Sequence, residues 1–221
     1  MKTSTVTLTA LLSMPAIPAI TSGHELSVSV RLVGSDAPVA NAVVSVPSGL
    51  RPDPVIAEIY QKDRAFHPHI LVVPIGSSVD FPNRDNTQHH VYSFSPAKTF
   101  NIELYADRPA APIIFDKPGI VELGCNIHDH MQGFVVVTDT STFGQTNEHG
   151  QVTLPIDPGV AKDNQGSITL NVWHPRLLDN THPVTREIGN GSQTVVVTLD
   201  LEPAPATEGS LDRLQQRFRK L

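Results

Sequence analysis

The only cysteine of the chain lies in the segment GIVELGCNIHDHM, and its neighbours limit what it can do. Cys125 is followed by His128 and then by Met131, at successive spacings of three residues. One tight loop therefore offers a thiolate, an imidazole and a thioether, a mixture of soft and borderline donors that suits copper. A second imidazole must come from elsewhere, and HHVYSF supplies it: His89 and His90 open a probable strand after the loop NRDNTQ. Two imidazoles and a thiolate in a trigonal plane, with a distant axial methionine, tolerate both oxidation states of copper with little movement. Three donors on one loop and a fourth on a packed strand would hold that arrangement before the metal arrives. Cys125 must bind as the thiolate, which the metal itself enforces. Strand alternation puts His89 and His90 on opposite faces, so only one of them can reach the metal.

Other chemistries are open to the same residues. A lone cysteine is often a small buried hydrophobe. A Cys–His nucleophile pair leaves Met131 and the upstream histidine without a role and has no oxyanion motif beside it. A zinc site could use Cys125, His128 and His89 with His130 as fourth ligand. His67 and His69 flank Pro68 and could form a second metal site, though solvated or core-satisfied histidines are commoner; His149, His174 and His182 show no ligand spacing, and Trp173 reads as core or turn packing. With no second cysteine, an intramolecular disulfide is excluded.

The loop CNIHDHM matches the pattern C-x-x-H-x-x-M of the cupredoxins, the type 1 (blue copper) family, in the short form of its plastocyanin/amicyanin-like branch. Upstream, Phe66 and Pro68, then Gly76, Val79, Phe81, Asn83 and Asp85 fall on that family's F-x-P and G-x-x-V-x-F-x-N-x-D framework. The block FPN, HHVYSFS, GCNIHD resembles in particular secreted bacterial cupredoxins named methylamine utilization proteins. The resemblance spans about residues 55–139. It implies one type 1 copper ion held by His89, Cys125, His128 and Met131. His89 is chosen because, aligned on Val91, it falls on the family's ligand and His90 on the asparagine that follows. His130 takes the place of an aromatic residue at the solvent rim.

The elements that must position these residues read as strands. In LSVSVRLVG, Leu26, Val28, Val30 and Leu32 fall on one face, opposite Ser27, Ser29 and Arg31. The same alternation recurs in GSSVDF, FNIEL, IVELGC, QVTLPI, SITLNVW and SQTVVVTLDL, with 19 prolines and 14 glycines scattered between segments. Before residue 210 only IAEIYQKD suggests a helical turn or two. The class is all-β, a cupredoxin-like Greek-key β-sandwich in the middle of the chain. The flanks resemble the strands of transthyretin-like and carboxypeptidase-regulatory-like domains, in PVANAVVSV and TNEHGQVTLPIDPG. Residues 24–48 plus 140–201 are therefore expected to form a second, discontinuous sandwich into which residues 49–139, with a self-contained core, are inserted. Residues 1–23 read as a signal peptide, with Lys2, an apolar run and small residues near Gly23. Residues 202–221 read as a linker and a short helix capped by Ser210, carrying Leu211, Leu214, Phe218 and Leu221 on one side.

A net charge of −6 gives no basic footprint for nucleic acid, and the mature chain lacks a run long enough to span a bilayer. The expected function is periplasmic carriage of single electrons between redox protein partners, without bond chemistry, so not an enzyme. His128 would offer an exposed edge, with Ile127 and Met131 as an apolar patch beside it. Two other classes remain: a module for copper storage, delivery or sensing, and a scaffold subunit that binds through the second sandwich.

Overall fold

The computed structural model describes residues 24–156, 160, 166–189 and 193–204. The expected signal peptide and carboxy-terminal helix lie outside the described residues. The described residues form strands and turns, and no helix among them is long and apolar enough to cross a membrane. Seventeen strands are present among them. Two come first, β1 (His24–Leu32) and β2 (Val43–Val46). The middle of the chain supplies β3 (Ile56–Glu58), β4 (Tyr60–Lys62), β5 (Ala65–His67), β6 (Ile70–Pro74) and β7 (Ser77–Asp80). It continues with β8 (His89–Ser95), β9 (Lys98–Tyr105), β10 (Ile113–Phe115), β11 (Gly119–Gly124) and β12 (Gln132–Thr138). Last come β13 (Thr142–Gln145), β14 (Gln151–Ile156), β15 (Ile168–Trp173), β16 (Val184–Ile188) and β17 (Thr194–Leu199).

The middle strands pair among themselves. A five-stranded sheet runs β6-β12-β11-β8-β9, and a three-stranded sheet runs β10-β7-β3. Val79, Phe81, Val91, Phe115, Val121, Leu123, Val135 and Val137 belong to one buried cluster that also takes in Cys125 and Met131. The flanking strands build two more sheets, β14-β1-β17 and β13-β2-β15-β16. Strand β1 lies antiparallel to β14 and parallel to β17, across most of the sequence. Leu26, Val28 and Val30 are buried on its inner face, as their alternation predicts. Strands β2 and β13 pair in register from Val46 opposite Thr142 to Val43 opposite Gln145, on either side of the whole middle segment. The crossing is tied by Thr140, whose hydroxyl donates to the Val46 carbonyl at 2.6 Å and lies 3.0 Å from the Ser48 hydroxyl.

One expectation is corrected here. IAEIYQKD is not helical but splits into β3 and β4. Its amide donors are taken by a neighbouring chain segment, Ile59 N–H by Asp80 O and Gln61 N–H by Pro82 O, and Ile56 at its start is exposed. Tertiary pairing overrides a weak local helical period. The core around Cys125 draws only on the middle segment, but that segment also packs against a second core. Strand β12 is apolar at consecutive positions and is buried on both faces. Val135 and Val137 face the Cys125 cluster, whereas Phe134 and Val136, with Ile70 of β6, join the core of the flanking sheets. Phe134 meets Trp173 edge to face, ring centroids 5.2 Å apart.

Candidate metal centre

Cys125 follows directly on β11, where Val121 and Leu123 already face the core, so the alternation carries its thiol inward. The chain then turns tightly: His128 N–H donates to Cys125 O at 3.4 Å and Met131 N–H to His128 O at 2.9 Å. These bonds bring three potential donors of one loop to the same end of the sandwich. His89 opens β8 and shares the inward face with Val91 and Ser93, all buried. The β8–β9 ladder is irregular between His89 and Val91, a distortion common where a strand aims a functional side chain.

The thiol sulfur lies 3.8 Å from His89 Nδ1 and 3.7 Å from His128 Nδ1. One ligand atom from each of these three residues falls within 4.8 Å of the other two. Donors bonded at about 2.0–2.3 Å to a shared ion, at roughly 110–120°, stand about 3.5–3.8 Å apart, so these separations fit one metal. The His89 and His128 rings are 5.0 Å apart and tilted. Met131 is buried in the same cluster as Cys125, so it is not part of an exposed patch as its loop position suggested. Of that pair Ile127 alone is exposed.

The protonation of His89 follows from its second contact. Its Nε2 lies 2.7 Å from Asp85 Oδ2, and an ionised carboxylate can only accept, so Nε2 carries the proton. In the neutral ring this puts the Nδ1 lone pair toward Cys125, the tautomer a ligating imidazole needs. Asp85 is itself held by amides: Asp63 N–H at 2.8 Å to Oδ1 and Arg64 N–H at 3.0 Å to Oδ2. Burial works against its charge, but these amide bonds and the His89 contact together keep its carboxyl below the usual carboxylate range. Asp63 and Arg64 adopt left-handed conformations, φ 53° and 55°, which turn both amides toward Asp85. Asn83 accepts the Asp85 N–H at 2.9 Å and donates to the carbonyls of Thr87 and Tyr105. The N-x-D pair of the sequence thus forms a scaffold behind His89.

The remaining histidines divide cleanly. The His90 side chain turns away from Cys125 to pack beside Tyr92, with its buried Nδ1 lacking a hydrogen-bond partner. His130 is exposed, its ring 6.4 Å from that of His128. His128 is held below the usual imidazole range, by burial first and then by the charges of His89, Arg64 and His130, which favours its neutral, ligating form. The structure therefore groups His89, Cys125 and His128, buries Met131 nearby, and leaves His90 and His130 outside. Sequence reasoning placed Asp85 on the N-x-D framework without linking it to His89, and had no role for Asp63 or Arg64. The signal was the carboxylate four residues before a candidate ligand.

No family model matches the chain, and no curated protein matches it. Among solved structures, a reduced amicyanin variant aligns at 21% identity over 43% of this chain and 98% of its own, with a TM-score of 0.35. A Cu-containing nitrite reductase from Thermus scotoductus aligns at 24% identity over 43% of this chain and 25% of its own, TM-score 0.32. A purple cupredoxin from Nitrosopumilus maritimus aligns at 20% identity over 37% of this chain and 99% of its own, TM-score 0.30.

Proposed function

We propose that this protein is a periplasmic, cupredoxin-like type 1 copper protein that carries single electrons between redox partners and performs no bond chemistry of its own. The observation that carries this reading is the Cys125 sulfur set 3.7 and 3.8 Å from two imidazole Nδ1 atoms, with a buried thioether alongside. Copper, when bound, supplies a centre that cycles between two oxidation states. A thiolate with two imidazoles would hold zinc as well, but a thioether is a soft donor that favours copper.

The chain's own residues account for the rest of the task. Asp85 fixes the His89 tautomer and ring orientation, so His89 need not reorganise when the charge at the centre changes. Val91, Val121 and Leu123 exclude water around the thiol. His128 is only partly buried and gives the centre an edge near the surface, beside exposed Ile127, where a redox protein can dock. The amino-terminal apolar run supports export to the periplasm. The same reading takes the flanking sheets as a transthyretin-like sandwich that receives the metal-binding segment as an insertion, supported by the β2–β13 pairing.

Cyclic voltammetry of the copper-loaded chain separates carriage from copper storage or delivery. The expected result is a reversible one-electron wave with copper retained over many cycles. Loss of copper on reduction, or its ready transfer to a competing chelator, would favour storage or delivery instead.

A further inference from the structure

Among the described residues a cavity of about 760 Å³ opens where the flanking strands meet the middle segment. That lies within the roughly 300–1,000 Å³ typical of small-molecule sites, which favour seams of this kind. Leu32, Val39 and Leu201 of the flanking part meet Ile70 and Met131 of the middle part around it, giving it apolar walls. Two guanidiniums, Arg64 and Arg176, stand among these walls, one from each part. Neither has a carboxylate within ion-pair distance among the described residues, although Arg176 Nε donates to the Glu202 carbonyl at 2.7 Å. Asp63 is the only acid in the lining, and it lies 3.9 Å from Lys62 Nζ.

Asn41, Gln132, His69, His130 and His174 complete the polar part of the wall. His174 accepts the Arg176 N–H at Nδ1 and bonds the Ala40 backbone, and burial, followed by the Arg176 charge, lowers its pKa to about 4. His69 donates Nδ1–H to Gln132 O, and burial holds it below the usual imidazole range. The two arginines are the permanent positive charges of the lining. Their charge stands out against a net −6 for the whole chain.

We propose that this cavity binds a small organic anion, an apolar body carrying a carboxylate that Arg64 and Arg176 hold. A guanidinium presents paired donors to a carboxylate in its plane, and two of them without a carboxylate partner beside an apolar wall select for charge as well as fit. The occupant sits against Met131, on the side of the cavity nearest the candidate metal centre. Through Arg64 it also touches the residue whose backbone amide holds Asp85.

Benzoate is the probe, with benzyl alcohol as its neutral counterpart, titrated into the isotopically labelled full chain and followed by amide chemical shifts. Metal-free and Cu(I)-loaded chains are both used, so the outcome does not depend on the copper reading. The expected result is saturable shifts centred on Arg64, His69, Met131 and Arg176, with benzyl alcohol at least about tenfold weaker. The doubly substituted variant Arg64→Gln, Arg176→Gln, with its thermal midpoint unchanged, should lose at least tenfold in affinity as well. Absence of saturable shifts, equal binding of the alcohol, or shifts confined to another surface such as that around exposed Phe94 would each overturn the proposal. The comparison with benzyl alcohol stands even if the double variant does not fold.

Discussion

Asp85 is the residue through which most of the site is determined. It accepts the His89 Nε2–H and is itself fixed by two amides of the β4–β5 turn, so the orientation of a ligand is set by the backbone of that turn. Such outer partners of metal-bound histidines are commonly worth about 10–100-fold in metal affinity. Asp85→Ala should therefore weaken copper binding by that order, measured by competition with a chelator of known affinity. His90→Asn, which touches neither thiol nor imidazole donor, should leave the affinity within about threefold, well short of that outer-partner effect. A larger loss for His90→Asn than for Asp85→Ala would place the ligand one residue later on β8. The Cys125, His128 and Met131 loop was legible in the sequence because all three donors lie within seven residues of one another. The link from Asp85 to His89 was not, because the fold alone brings a carboxylate from one side of a loop to a histidine on the other.

At the scale of strands, the pairing of β12 with β11 and β6 determines how close the second sheet layer can come. Gly133 lies at the start of β12, and a Cβ there would stand 2.9 Å from Phe66 Cβ, an atom fixed to the backbone of β5. Phe66 is buried and cannot retreat. Gly133→Ala should cost about 1–3 kcal/mol through overpacking, seen as a lowered thermal midpoint. A midpoint unchanged from the parent chain would show that β5 can shift at no cost. Here the pattern of residue types served unevenly. The alternation of β1 gave its inner face correctly, since one side packs and the other meets solvent. In IAEIYQKD the same logic failed, because three-residue strands hold too few positions to show a period. The unbroken run GFVVVT was the real sign of two-sided burial, with a second core beyond the sheet.

Across the whole molecule, the two cores meet at β12, so they should not melt separately. Trp173 is the one tryptophan of the chain and reports on the flanking sheets, while bound copper reports on the middle ones. Thermal transitions followed by tryptophan fluorescence and by copper absorbance should coincide, because Phe134 packs directly on Trp173. Phe134→Ala should lower both together, by about 3–5 kcal/mol in stability. Two well-separated transitions in the parent chain would mean the seam is a contact rather than a shared core. The run GFVVVT marks one side of the seam, but its partner Trp173 could not be read from sequence, since a full crossing of the chain separates the two. The cavity at that seam was likewise invisible, assembled from Arg64 and Arg176 more than a hundred positions apart.

The central claim is that Cys125 binds copper as a short equatorial thiolate, and one visible spectrum tests it most directly. Cu(II) added to the metal-free chain should give an intense thiolate-to-copper charge-transfer band, at one ion per chain, and Cys125→Ser should abolish the band. Stoichiometric Cu(II) binding without that band, or a band that survives Cys125→Ser, would contradict the account.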